Sequence, residues 1–372
     1  MRKKDYIDKS KNHIDRWMLL AVIALCIFGT VMVFSASYYD AIHSNGTPYY
    51  YLIRQLMWLG VGTIGMIFFA ATDYHFWAKL WPIIYLVGLF LLVAVLVPGV
   101  GTEVNGATRW IYIGPIAIMP GEWAKAGLIF FMTGYYSMNP KSVTTFKKGI
   151  LPVVFAGGVY ALLILIQPNM STAATVIFIA AGIMIAAGAR WLHLFILAIA
   201  GAAVGAALVM TSDYRRARYL SFIDPFEDSL NNGYQVVQGL LALGSGGVFG
   251  KGIGNSVQKN LYLPEPQNDF ITAIIGEELG FVGLVVLIIV YVFLIFRCAK
   301  VAMNAEDLTG LLLASGVTTM IGVQVVINLA VVTSSMPPTG VILPFISYGG
   351  NALLIIMCLM GIMLNISKHQ KK

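Results

Sequence analysis

Apolar residues along the chain gather into long runs separated by short polar stretches. Ten runs approach the roughly 20 residues an α-helix needs to cross a bilayer. They cover 16–37, 52–71, 78–97, 119–138, 149–167, 172–188, 192–211, 271–296, 309–332 and 348–367. The pattern predicts an all-α polytopic membrane protein with about ten transmembrane helices. The sixth and seventh runs are joined only by Ala189-Arg190-Trp191. The first run is too long for the apolar segment of a cleavable signal peptide, so none is expected. Composition agrees: 58% of the 372 residues are hydrophobic, 11% are charged, and mean hydropathy is +0.80. A soluble protein carries about 25% charged residues, which excludes a soluble helical protein with an oversized core.

Charge orients the spans. Arg2, Lys3, Lys4, Lys9 and Lys11 precede the first run. By alternation, Lys79, Lys141, Lys147, Lys148, Arg190, Arg297, Lys300, Lys368, Lys371 and Lys372 fall on the same side. Short basic loops stay in the cytoplasm, so both termini are expected there. The net charge of +7 is then mostly topogenic, and no nucleic-acid partner is implied. Cys26, Cys298 and Cys358 lie in or beside apolar runs at no metal-like spacing, which reads as packing.

Two outward loops stand out, 98–118 and the far larger 212–270 between the seventh and eighth runs. A segment that long calls for a function. Within it, "GYQVVQGLLALG" has helical apolar spacing and is expected to lie as an amphipathic segment in the membrane interface. No repeat or second soluble domain is visible, so residues 1–372 form one domain. The glycine run Gly244, Gly246, Gly247, Gly250, Gly252, Gly254 lacks the strand and helix of a dinucleotide fingerprint. It reads either as a flexible loop or as a close-packed turn whose N–H groups face an anion.

Any acid–base chemistry on the outer side falls to carboxylates. His13, His75, His193 and His369 lie on the cytoplasmic side of this topology, and His43 is alone in a loop. The outer acids are Asp40, Glu103, Asp213, Asp224, Glu227, Asp228, Glu265 and Asp269, most of them among turn-forming residues. Asp269 differs because Phe270 and Ile271 follow at once. Partial burial there would raise its pKa toward a general base's range, whereas the bland alternative is a cap on the next helix. Inside the spans lie Glu122, Lys125, Glu277 and Glu278, groups expensive enough in a membrane to imply a role. Glu122 and Lys125 are three apart and can pair on one face, either as a tolerated salt bridge or with a function. Glu277 and Glu278 are adjacent and point apart. The outer cations Arg54, Arg109, Lys125, Arg215, Arg216, Arg218, Lys251 and Lys259 suit a phosphate or pyrophosphate headgroup. Trp110 would anchor its loop or stack on a sugar.

The stretch "GNSVQKNLYLPEPQNDFITAIIGEELGFVG" resembles the SEDS family (shape, elongation, division and sporulation), in its FtsW/SpoVE branch. "NGATRWIYIGPIAIMPGEWAK", "YRRARYLSFIDPFED" with "GYQVVQGLLALGSGG", and "PPTGVILPFISYGGNALL" carry the same likeness over nearly all of the chain. The resemblance implies a peptidoglycan glycosyltransferase that polymerises lipid II at the outer face of the cytoplasmic membrane. It makes Asp269 the general base, with undecaprenyl pyrophosphate as leaving group. Substrate-binding roles are implied for Arg109, Trp110, Glu122, Lys125, Arg216, Arg218, Ser256, Gln258 and Lys259. A divalent cation, magnesium or manganese, is compatible with this chemistry, although no ligand cluster is visible beyond Asp269; no organic cofactor is implied. The implied partners are a class B penicillin-binding protein and other division or sporulation membrane proteins. This chain departs from the family pattern at Asn169, Ser171, Gln267, Asn268 and Asn351. Two alternatives remain from other classes: a flippase for the same lipid, with broken helices and midplane sites, and a non-catalytic scaffold for the transpeptidase.

Overall fold

The computed structural model describes residues 13–104, 106–114, 116–211, 216, 219, 222–231 and 233–370. Its helices are α1 (Arg16–Asn45), α2 (Tyr50–Ala71), α3 (Tyr74–Lys79), α4 (Trp81–Ala94), α5 (Pro120–Met138), α6 (Leu151–Ile166), α7 (Met170–Ala186) and α8 (Trp191–Met210). They continue with α9 (Tyr234–Gly246), α10 (Ile271–Met303), α11 (Leu308–Val332) and α12 (Gly350–Lys368). Every apolar run of the sequence falls on one of these helices. Among the described residues, seven helical stretches are long and apolar enough to cross a membrane, and α4 and α7 are shorter apolar helices.

Burial sorts the helices. Most of α12 and α11 lies inside the bundle, at 83% and 61% of their most apolar stretches, while α8 buries none of its residues. Small residues bring α2 and α12 together: a β-carbon on Gly361 would meet the Met66 carbonyl at 2.4 Å. Close backbone approach of this kind replaces the hydrophobic drive that helices lack in lipid. One end of the bundle gathers both ends of the described chain. Asp15 caps α1 through the Met18 N–H (2.9 Å), accepts from Arg297 Nη2 (2.5 Å), and its own N–H reaches Ser367 Oγ (3.0 Å). His75, Asp73 and Asp307 lie at this same end. The grouping agrees with the alternation read from the basic loops.

The opposite end carries what the all-α expectation missed. Loop 98–118 contains a three-stranded antiparallel sheet, β1 (Gly101–Val104), β2 (Ala107–Ile113) and β3 (Ile116–Ile118), in the order β1-β2-β3. Thr102 pairs with Trp110 and Ile111 with Ile118; Ala107 and Ile111 are buried, while Tyr112 and Ile113 are exposed. The amphipathic segment of the large loop is α9. Instead of resting its apolar face in lipid, it packs on the start of α10: Gly239 abuts the Phe270 ring and Gly246 abuts the Gly276 carbonyl. Val236, Val237 and Ala242 are buried in that contact.

Candidate functional site

Asp269 stands one residue before the helix boundary. The residue flanking α10 is Phe270, whose side chain makes no cap bond. Its carboxylate is half-buried beside the 337–341 segment, where a β-carbon on Gly340 would lie 3.8 Å from Asp269 Oδ2. Its backbone carbonyl accepts from Asn328 Nδ2 on α11 at 2.8 Å. The turn at 167–171 supports that segment from the other side. Ser171 Oγ donates to the Thr339 carbonyl at 2.5 Å, while Asn169 Oδ1 caps α7 through the Thr172 N–H at 3.2 Å.

Arg109 closes the same region. From strand β2 its Nε donates to the Gln167 carbonyl at 3.3 Å, and Nη2 to the Pro168 carbonyl. The structure thus joins Arg109, the 167–171 turn, the 337–341 segment and Asp269 at the outer end. Trp110 is half-buried on the neighbouring sheet position. Asn351, one of the departures from the family pattern, donates to the Ala117 carbonyl on β3.

Glu122 and Lys125 pair with each other on α5, Nζ to Oε1 at 2.7 Å, and are 5% and 2% exposed. Gly121, next in line, packs on Thr172 at the start of α7. The pair therefore lies beneath the 167–171 turn. Arg216 is exposed on the large loop, and Arg218 lies outside the described residues.

Ser256, Gln258 and Lys259 are engaged within the protein. Glu277, wholly buried, accepts from Lys251 Nζ (2.7 Å), Ser245 Oγ (3.1 Å), Ser256 Oγ (2.5 Å) and the N–H groups of Val257 (3.0 Å) and Gln258 (3.2 Å). Glu278 points the other way. It takes Lys259 Nζ at 2.8 Å, and Ser35 Oγ of α1 bridges both, 2.7 Å from the carboxylate and 3.0 Å from the ammonium. The backbone follows suit. Lys251 and Gly252 donate to the carbonyls of Glu277 and Glu278 at 3.0 and 2.9 Å, and Phe281 and Val282 to those of Gly247 and Val248 at 2.9 and 3.1 Å. The glycine run is therefore a close-packed turn, and the anion held by the N–H groups just beyond it is the chain's own carboxylate.

This pairing exists because α10 breaks at Gly280 (φ 68°, ψ −168°), where a β-carbon would sit 2.3 Å from the Gly250 nitrogen. Only glycine fits a positive φ at so close an approach. A broken helix is one mark of the flippase alternative, but here residues 247–252 take up backbone groups on both sides of the break, leaving less of it open to a passing ligand.

Sequence reasoning overlooked a second network beside Asp269. Gln267 Nε2 donates to Asp40 Oδ2 at 3.1 Å, and the Gln267 carbonyl accepts from the Tyr348 N–H at 2.9 Å. Tyr51 hydrogen-bonds Asp40, and its ring meets Tyr348 edge-on at 5.0 Å. Asp40 had read as a loop acid because the first span was ended at 37. Nothing before Gly46 breaks the helix, and α1 carries Asp40 to this network. Among the described residues, no three His, Cys, Asp or Glu side chains gather to hold a metal ion.

Comparison with known proteins matches residues 16–372 to the FtsW/RodA/SpoVE cell cycle protein family. The chain is 38% identical to stage V sporulation protein E of Bacillus subtilis over 97% of this chain and 99% of that one. It is likewise 38% identical to the probable peptidoglycan glycosyltransferase FtsW of Geobacter sp. (strain M18), covering 95% and 96% of the two chains. Among solved structures, a chain of a peptidoglycan synthase complex superposes with a TM-score of 0.78 at 28% identity, over 95% of this chain and 97% of that one. The rod shape determining protein RodA of Thermus thermophilus gives 0.71 at 27% identity, over 96% and 98%. The chain belongs to the FtsW/RodA/SpoVE family, and with its seven long apolar helices it is a multi-pass protein of the bacterial plasma membrane.

Proposed function

We propose that the protein is a peptidoglycan glycosyltransferase that polymerises lipid II at the outer face of the membrane, with Asp269 as general base. One observation carries the assignment of the base: a half-buried carboxylate just before α10, set against the 337–341 segment that Ser171 and Asn328 pin. Asp269 takes the proton from the acceptor's GlcNAc 4-hydroxyl. That oxygen attacks the anomeric carbon of the donor's MurNAc, and the bond to undecaprenyl pyrophosphate breaks with its electron pair. The configuration inverts, and Asp269 returns the proton to water. A base placed this way contributes roughly 10²–10⁴-fold. Arg109 and Arg216, with Arg218 by the same family likeness, serve the pyrophosphate groups and the charge that develops as they leave. The Glu122–Lys125 pair supports this from beneath the 167–171 turn. Ser256 and Lys259 hold the loop in place through Glu277 and Glu278, and the Gln258 N–H joins them.

A class B penicillin-binding protein cross-links the emerging strand, and other division or sporulation membrane proteins complete the assembly. The test is reconstitution of the purified protein with its cognate transpeptidase in vesicles containing lipid II, with the products separated by length. Glycan chains made while the transpeptidase is blocked by a β-lactam support the reading. No chains from folded protein with its partner bound would return the choice to a scaffold or flippase.

A further inference from the structure

Asn328 sits inside α11, 1% exposed, an amide in the middle of an apolar helix. Its two donors go to two backbone carbonyls, those of Asp269 and Val341, each at 2.8 Å. Its oxygen accepts from Thr272 Oγ1, in the first turn of α10, at 2.6 Å. Two carbonyls on one side demand the NH₂ there, so the network itself orients the amide. One side chain thus joins three segments: the residue that carries the carboxylate, the first turn of the helix behind it, and the strand-like segment in front of it.

We propose that Asn328 is the positioning residue of the site, fixing the Asp269 carboxylate against the 337–341 segment at the distance the reaction needs. This rests on the reading of Asp269 as base. Gly340 lies between Thr339, bound by Ser171, and Val341, bound by Asn328, and it is Gly340 that faces Asp269 Oδ2. The segment is therefore pinned on both sides of its contact with the carboxylate, once from α7 and once from α11. Asn328 touches no reacting atom in this arrangement. Its bond holds the backbone from which the base projects, and a shift of about 1 Å in such a group costs up to ~100-fold in rate. A side chain with only a packing role has no reason to fill both donors on these two carbonyls.

The experiment measures initial rates of lipid II polymerisation against lipid II concentration for native protein, Asn328→Leu, Asn328→Gln and Asp269→Asn, with the Tm of each. Asn328→Leu keeps the branched shape and strips all three bonds. Asn328→Gln keeps both donors but displaces them by one methylene, so it preserves the fold if Asn328→Leu does not. The expected result for either folded variant is a kcat lowered at least ten-fold with KM within two-fold of native. Native kcat in folded Asn328→Gln or Asn328→Leu, with Asp269→Asn inactive, would overturn the positioning role and leave the base assignment standing. Native rates from Asp269→Asn would remove the base and this inference with it.

Discussion

Asp269, just before α10, and the Glu277-Glu278 pair about two turns into it sit in different surroundings. Glu277 and Glu278 are wholly buried and have their oxygens filled by lysines, serines and backbone N–H groups. Asp269 is half-buried at the outer end, beside the 337–341 segment. Buried charges are tolerated when paired and fully hydrogen-bonded, and those below the break of the loop satisfy that rule. A carboxylate held at the edge of such a framework is fixed by its backbone, through the bond from Asn328 to the Asp269 carbonyl. The framework exists so that the base can stand still.

The comparison breaks first at Asp269. Asp269→Asn lowers polymerisation by at least ~100-fold, the scale of a lost general base, and leaves Tm unmoved. Glu278→Ala does the reverse. It leaves Lys259 charged and unpaired in the bundle, which costs about 3–5 kcal/mol of stability and is read as a fall in Tm. Glu277→Ala opens the 245–258 turn, seen as faster hydrogen exchange at Val257 and Gln258 than in native protein, whose N–H groups the carboxylate now holds.

The inner end sharpens the contrast with smaller effects. Tyr74→Phe removes the 2.6 Å bond to Asp307 Oδ1 and costs about 1 kcal/mol without altering polymerisation, as melting and activity measured together will show. Burial pushes the Asp307 carboxyl up, but bonds from Tyr74, the Gly310 N–H and Thr309, with His75 nearby, outweigh it and hold the group below its usual 3.8. A depressed folded pKa gives stability that is complete above about pH 4 and drains as pH falls through the folded value. Melts of native and Asp307→Asn protein should therefore converge as pH drops below about 4 and stay parallel above it.

How much of this the chain announces depends on the range of the interaction. Hydropathy is a local signal, and each apolar run lands on a helix. Local too is the alternation in "ATRWIYI" after Asn105-Gly106, which marks the small sheet and was available in the sequence. Adjacency alone told that Glu277 and Glu278 diverge. Their partners were not legible, because Ser35 lies 243 residues from Glu278 and the lysines reach them only once α10 breaks at Gly280. Ser256 and Lys259 therefore look like substrate ligands in a motif, and their bonds to Glu277 and Glu278 are visible only in the fold. Asn328 is the clearest case of this kind: an amide in the run 309–332 has no visible purpose until Asp269 and Val341 arrive from 59 and 13 residues away.

The most direct test sets Asp269→Asn beside native protein, each purified, each reconstituted with the cognate transpeptidase and lipid II, and each melted before assay. The account predicts equal Tm, equal binding of the partner, and glycan chains from native protein only. Chains of native length and rate from Asp269→Asn would contradict it.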